Sequence, residues 1–249
     1  MQKGDIILLE MTGKDSESGK VFETTSEETA KSSGVFTQGS SYRPTALVVG
    51  KGRMIQGVEE ALLEMKVGEE RKITLGPEKA FGERRPDLVG IVPLKEFIAR
   101  KVQPFPGLVV DVNGNAGRIQ SVSGGRVRVD FNNDLAGKTV EYDLKIVKKL
   151  EEPEEKAKAL VSKVLGLEKE ISMEFNKESQ ELVIGLPEEV EHLKEIDLLK
   201  QFLQKELSGD IPELKKVSFK EHDHAAHASE AQTKQEPEPA KAKPDSQKV

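Results

Sequence analysis

From residue 5 to residue 75 short apolar runs alternate with polar breaks, and in one stretch the period changes. Residues 5–12, DIILLEMT, read as a strand and residues 21–25, VFETT, as another, with a polar turn region over residues 13–19 between them. Residues 26–44 are rich in Ser, Glu and Gly and read as a surface loop with one helical turn at 27–31. The run Leu47-Val48-Val49 is broken by Gly50-Lys51-Gly52. After Gly57 the period lengthens. Val58, Ala61, Leu62 and Met65 stand at i, i+3, i+4 and i+7, the spacing of one buried helical face, and Gly68 suits the position just past a helix end. Ile73 and Leu75 restore the two-residue period of a strand over residues 71–75, and Gly76-Pro77 marks a turn.

Beyond Gly82 a charged hinge, Glu83-Arg84-Arg85-Pro86-Asp87, leads into a second β-rich unit. Strands are predicted over residues 108–112, 116–121 and 125–131, separated by Asn113-Gly114 and Gly124-Gly125, both hairpin signals. In the last of them Val127, Val129 and Phe131 alternate with Arg126, Arg128 and Asp130, which predicts one buried and one solvated face. Residues 140–150, VEYDLKIVKKL, read as a further strand. The pattern then changes to helix, strand, strand, helix, strand. Pro153 opens a helix with Ala157, Leu160, Val161 and Val164 on one face. A second helix within residues 193–207 turns Ile196, Leu199, Phe202 and Leu203 inward. A unit of about 70 residues is small for independent stability, so it is expected to lean on another surface of the chain or on a second copy. Residues 220–249 hold almost no large apolar side chain and three prolines, and are expected to be disordered.

Composition removes several classes of chemistry. The formal net charge of −6 gives no general attraction for nucleic acid, and the lack of cysteine excludes disulfides and thiol catalysis. No apolar run is long enough for a membrane helix, and MQKGDIILLEMTGK lacks the apolar core of a signal peptide, so a cytoplasmic location is expected. Gly50-Lys51-Gly52 lacks the third glycine of a nucleotide loop, and His192 is the one histidine outside the tail, so no Ser-His-Asp set is available. His222, His224 and His227, with Asp223, are a metal-capable cluster, but a solvated tail is the simpler reading; no metal site is assigned and no cofactor is expected.

The string GKGRMIQGVEEALLEMKVGEERKITLGPEKAFG, residues 50–82, resembles the central segment of FKBP-type peptidyl-prolyl isomerases. Met54-Ile55-Gln56-Gly57-Val58-Glu59-Glu60 stands for the family's segment before the helix, Ala80-Phe81-Gly82 for its Ala-Tyr-Gly, and Val21-Phe22-Glu23-Thr24-Thr25 for its aromatic-acid segment. Val58 replaces the common tryptophan, Phe81 the common tyrosine, and Glu23 the usual aspartate. The resemblance implies an α+β fold with an antiparallel half-barrel sheet wrapped on a short helix, an inserted small β-rich domain and an extra C-terminal α/β unit. The implied division is residues 1–83 and 133–150 for the isomerase domain, 84–132 for an insert-in-flap domain of the SlyD-like kind, 151–219 for the C-terminal domain and 220–249 for the tail.

The resemblance further implies prolyl isomerisation in a pocket made by Phe22, Ile55, Val58, Phe81 and Tyr142, with the Ile55 N–H taking a substrate carbonyl and Glu23 shaping the rim without shuttling protons. Without the resemblance each apolar member reads as plain core, and Glu23 as an exposed strand end. The expected partners are unfolded or proline-containing polypeptides and macrolide inhibitors, with a homodimer through the C-terminal domain. Met54 and the insert's apolar series (Ile91, Val92, Leu94, Phe97 and Phe105, with Ile98 and Leu108 nearby) are the candidates for substrate binding, as a chaperone surface feeding the pocket.

Overall fold

The computed structural model describes residues 1–166, 171–186, 190 and 194–220. The expected disordered tail from residue 221 onward, with its histidine cluster, lies outside the described residues, as do His192 and Leu193. Among the described residues no helix is long and apolar enough to cross a membrane.

The first strand, β1 (Ile6–Asp15), is the spine of the main sheet. It pairs along one edge with β9 (Val140–Leu150), and along the other with β3 (Thr45–Val48) and then β2 (Val21–Thr24), all antiparallel; β4 (Glu70–Leu75) closes the far side of β9. The region expected to turn from residue 13 is therefore still strand as far as Asp15.

The unbroken run Ile6-Ile7-Leu8-Leu9 follows from both faces of this sheet being covered. Ile7 and Leu9 meet Val58 and Leu62 of the helix α2 (Gln56–Glu64), and Met65 just past its end. Ile6, with Ala46 and Val48 of β3, meets Ala157, Leu160 and Val161 of α4 (Pro153–Leu165). In β9, Val147 is skipped where Leu8 faces Lys148 and Leu9 faces Ile146, and this bulge inverts the alternation. Ile146 consequently belongs to the α2 side and Leu150 to the α4 side.

Helix α2 ends sooner than its apolar spacing suggests. Met65 is buried but extended, and Gly68, at φ 81°, makes the turn into β4 instead of terminating the helix. A short helix, α1 (Glu27–Ser33), capped by Ser26, occupies the predicted surface loop.

Between β4 and β9 the chain leaves the sheet and builds a second one from β5 (Val89–Pro93), β6 (Val109–Val112), β7 (Asn115–Ser123) and β8 (Arg126–Asp130), in the order β5-β8-β7-β6. The Asn113-Gly114 and Gly124-Gly125 turns all carry positive φ, as two-residue hairpins require. A helix missing from the sequence reading, α3 (Leu94–Ala99), closes this unit. Its Phe97 is 5% exposed and packs with Ile119, Val127 and Val129.

Asp130 also departs from expectation. It is buried, accepts bonds from Gln120 (2.8 Å) and the Asn132 backbone (2.9 Å), and pairs with Arg84. A buried carboxylate needs such partners. Two further links join the crossing segments. The Asn132 amide exchanges two 2.9 Å bonds with the Arg85 backbone, and the Gly137 N–H donates to Gly82 O at 2.8 Å.

The C-terminal unit combines α4 with a sheet of β10 (Ser172–Asn176), β11 (Glu181–Gly185) and β12 (Lys216–Phe219), in which the parallel β11–β12 pair is bridged by α5 (Ile196–Asp210). Pro153 opens α4 as predicted, and Gly166 at φ 63° closes it. Val164 and Phe202, expected inward, are exposed. The surface this unit leans on includes the back of β1 and β3, within the chain.

Candidate active site

One rung of the main sheet explains how the site is built. Glu23 of β2 faces Gly13 of β1, and Gly13 faces Tyr142 of β9. The outer residues stand two strand spacings apart, roughly 10 Å, and the central residue has no side chain. Over that gap the Tyr142 hydroxyl donates to the Glu23 carboxylate. The Phe22 ring lies edge-on to Tyr142 (centroids 5.7 Å apart, 76° between planes) and to Phe81 (5.7 Å, 87°). Such T-shaped contacts suit the ring quadrupoles. Tyr142 is 1% exposed. Burial, and then the bond and charge of Glu23, push its phenol far above the ordinary range, so it remains a protonated donor.

The structure brings Phe22, Met54, Ile55, Val58, Phe81 and Tyr142 into one apolar cluster. Phe22, Glu23, Met54, Ile55 and Phe81 are half-buried at the surface of the cluster, whereas Val58 is fully covered within it. Ile55 is the N-cap of α2, in an extended conformation (φ −61°, ψ 148°). Its carbonyl takes the Val58 and Glu59 amides at 3.0 and 3.1 Å, while among the described residues its own N–H meets no protein acceptor. An unmet donor beside apolar side chains can take a carbonyl oxygen.

Two contributors were not singled out from sequence. Gly13 looked like part of a turn. Glu59 sits three residues before Leu62, beside the apolar stripe of α2, and is buried. Its carboxylate reaches back to the amides of Gly50 (2.6 Å), Arg53 (3.0 Å) and Met54 (3.3 Å), fixing the loop that leads to Ile55. An acid bordering a helix's apolar stripe, just after a glycine-rich loop, was the available signal.

A polar cleft of about 570 Å³ runs from Phe22 towards the second sheet, past Lys20, Arg84, Arg118 and Lys138. On that sheet an apolar groove of about 340 Å³ is lined by Val92, Phe97, Val102, Leu108, Val110 and Val112 among others. The candidate substrate-binding residues therefore divide. Val92 lines the groove and Phe97 forms its buried base, whereas Ile91 (66% exposed) and Phe105 (56%) lie on the surface outside it, and half-buried Leu94 does not line it. Ile91 precedes Val92 on β5 and so points to the opposite face.

Residues 1–98 match the family model for FKBP-type peptidyl-prolyl cis-trans isomerases, residues 90–135 that for the FKBP26 IF domain, and residues 153–222 that for the FKBP26 C-terminal region. Over 128 residues the chain is 36% identical to the short-type peptidyl-prolyl cis-trans isomerase of Methanocaldococcus jannaschii, an alignment covering 51% of this chain and 82% of that protein. The chain belongs to the FKBP-type peptidyl-prolyl cis-trans isomerase family. It is also 35% identical over 109 residues to a probable FKBP-type 16 kDa isomerase of Pseudomonas fluorescens, covering 42% of this chain and 71% of the relative. A SlyD isomerase of Helicobacter pylori is 29% identical over 119 residues, covering 47% and 64%. The chemistry of this isomerase is thus rotation about X-Pro bonds, whose barrier is about 18–20 kcal/mol in the planar amide.

Proposed function

We propose that this isomerase works by apolar enclosure around a single backbone anchor, and that its inserted sheet holds unfolded chains for the pocket. Phe22 and Phe81 flank the substrate's pyrrolidine ring, Tyr142 and Val58 back them, and Met54 and Ile55 border the opening. The Ile55 N–H holds the carbonyl beside the proline. Rotation twists the amide and removes its resonance, so the dipolar planar form loses more than the twisted form when water is excluded. That difference favours the transition state. Glu23 orients Tyr142 and moves no proton. The observation that carries this reading is the unmet Ile55 N–H beside the Phe22, Phe81 and Tyr142 rings.

In the same proposal residues 84–132 are a separable domain between the two parts of the isomerase domain, residues 1–83 and 133–150, and residues 151–219 form a third. The groove over Phe97 takes an apolar segment of a client and so raises the local concentration of its prolines. Its size and apolar lining support this. Macrolide inhibitors would occupy the aromatic pocket. Val164, Leu198 and Phe202, exposed on α4 and α5, support self-association through residues 151–219.

Ile55→Pro tests the anchor, because proline removes the N–H and its ring fits a φ of −61°. Ile55→Val keeps the N–H and serves as the control. A substrate carbonyl left without its donor costs about 1–3 kcal/mol, roughly five- to 150-fold in kcat/KM for a proline tetrapeptide. Equal activities in the two folded variants would remove the anchor from the mechanism.

A further inference from the structure

The loop that presents Ile55 is gripped from two sides, and one side belongs to the C-terminal unit. Glu59 holds the backbone of Gly50, Arg53 and Met54. From the other side Arg53 extends its guanidinium to α5, where Nη2 lies 2.5 Å from both Glu206 Oε2 and Asp210 Oδ2. Lys51 Nζ lies 3.6 Å from Asp210 Oδ1 and bonds Gly209 O at 3.2 Å.

Two features of α5 make sense only with these cations present. Glu206 and Asp210 are i,i+4 neighbours whose like charges repel on a bare helix. Asp210 is also the last residue of α5, where a negative charge opposes the helix dipole, yet its side chain is only 3% exposed. Both costs are offset by Arg53 and Lys51, which lie more than 150 residues earlier in the chain.

We infer that the C-terminal unit sets the geometry of the active site. Arg53 and Asp210 are positioning residues for isomerisation, acting through the backbone of residues 53–55 on the Ile55 N–H. The inference rests on the reading of that N–H as the substrate anchor. The path is short and continuous: the α5 carboxylates, the Arg53 side chain, the Arg53 and Met54 amides fixed by Glu59, then Ile55. Small misplacements of a positioning group are costly to catalysis, so a loop released on one side loses activity although no residue that touches substrate has changed.

The test uses the full chain with a proline tetrapeptide and follows KM, kcat and the Ile55 backbone amide resonance. Asp210→Asn keeps the shape of the side chain and removes its charge; Asp210→Glu restores the charge. Lys156→Ala is the structural control. It breaks the 2.6 Å pair with Glu213 inside the C-terminal unit and touches nothing in the loop. We expect Asp210→Asn and Arg53→Ala each to raise KM about fivefold and to shift the Ile55 amide. The double variant should raise KM by less than the product of the two single effects, because the Arg53–Asp210 pair is lost in both. Asp210→Glu should recover most of the activity, and Lys156→Ala should keep KM within about twofold of wild type.

Equal losses in Asp210→Asn and Lys156→Ala would mean that the unit merely stabilises the fold and would overturn the inference. So would a wild-type KM in Asp210→Asn beside an impaired Ile55→Pro, which rejects the link alone. Wild-type activity in both would reject the anchor beneath it.

Discussion

A Cβ built on Gly13 would sit 2.7 Å from two ring carbons of Phe22 and 3.0 Å from Cε1 of Tyr142. Packed aromatic rings do not yield at that distance, and overpacking of this kind costs about 1–3 kcal/mol. Gly13→Ala should therefore push Phe22 off its edge-on contacts and lower tetrapeptide kcat/KM about tenfold, at a stability cost within that range. Glu23→Gln should cost less, since an amide oxygen still accepts from Tyr142. Steady-state rates with thermal melts of both variants check this, and a Glu23→Gln loss larger than that of Gly13→Ala would mean that the carboxylate acts chemically. The site was legible to an uneven degree at this scale. Ile55, Val58 and Phe81 stand in the resembling string of residues 50–82, Phe22 in that of residues 21–25 and Tyr142 in the strand of residues 140–150, and these five share one cluster. Gly13 does its work by absence, and a space-making glycine in a strand reads in sequence as a turn.

At the scale of elements, alternation located the strands well. Residues 140–150 are strand β9 throughout, although the bulge at Val147 and the switch of faces beyond it leave no mark in the pattern. Helix α3 leaves no periodic signal because six residues are too few to display a 3.6-residue period, and α2 is shorter than its apolar spacing predicts because Met65 is buried without being helical. The β1–β2 turn carries a pH signature. Asp15, buried at the end of β1, pairs with Lys138 (2.7 Å) on the segment returning from the insert, and accepts the amides of Ser18 (2.9 Å) and Glu17 (3.0 Å). Lys138 first, and then these amides, hold its carboxyl well below the usual range. A carboxyl depressed in the folded state contributes stability that is present above its unfolded pKa, near 4, and is lost as pH falls toward the folded value. Asp15→Asn should accordingly lower the melting temperature at pH 7, with the gap to wild type constant down to about pH 5 and closing below about pH 4. Melts that keep the same gap at about pH 3 would contradict this assignment.

For the whole molecule, the order of elements was readable but their mutual packing was not. The C-terminal unit was expected to need a partner surface, and that surface is the back of the main sheet, where Ile6, Ala46, Val48 and Leu150 join the core of α4 and β11. The signal was already in Ile6-Ile7-Leu8-Leu9, since four apolar residues without alternation imply a strand covered on both faces. Under the proposed function the two tasks fall on different sheets. The aromatic cluster is drawn from the main sheet, α2 and the segments that border them, while the groove is lined by the inserted sheet with α3 and the segment after it. Leu75 of β4 pairs directly with Val140 of β9, Gly82 bonds Gly137 and Arg85 bonds Asn132, so the ends of the insert already lie together. A short glycine-containing linker in place of residues 84–132 should close the chain at little entropic cost. The decisive measurement is the ratio of two activities, tetrapeptide isomerisation and catalysed refolding of a proline-limited protein, in the intact and insert-deleted chains. The account predicts that tetrapeptide activity persists while refolding activity falls at least about tenfold further, as expected when a chain is no longer held beside the pocket. A loss of both in equal proportion, or of neither, would contradict it.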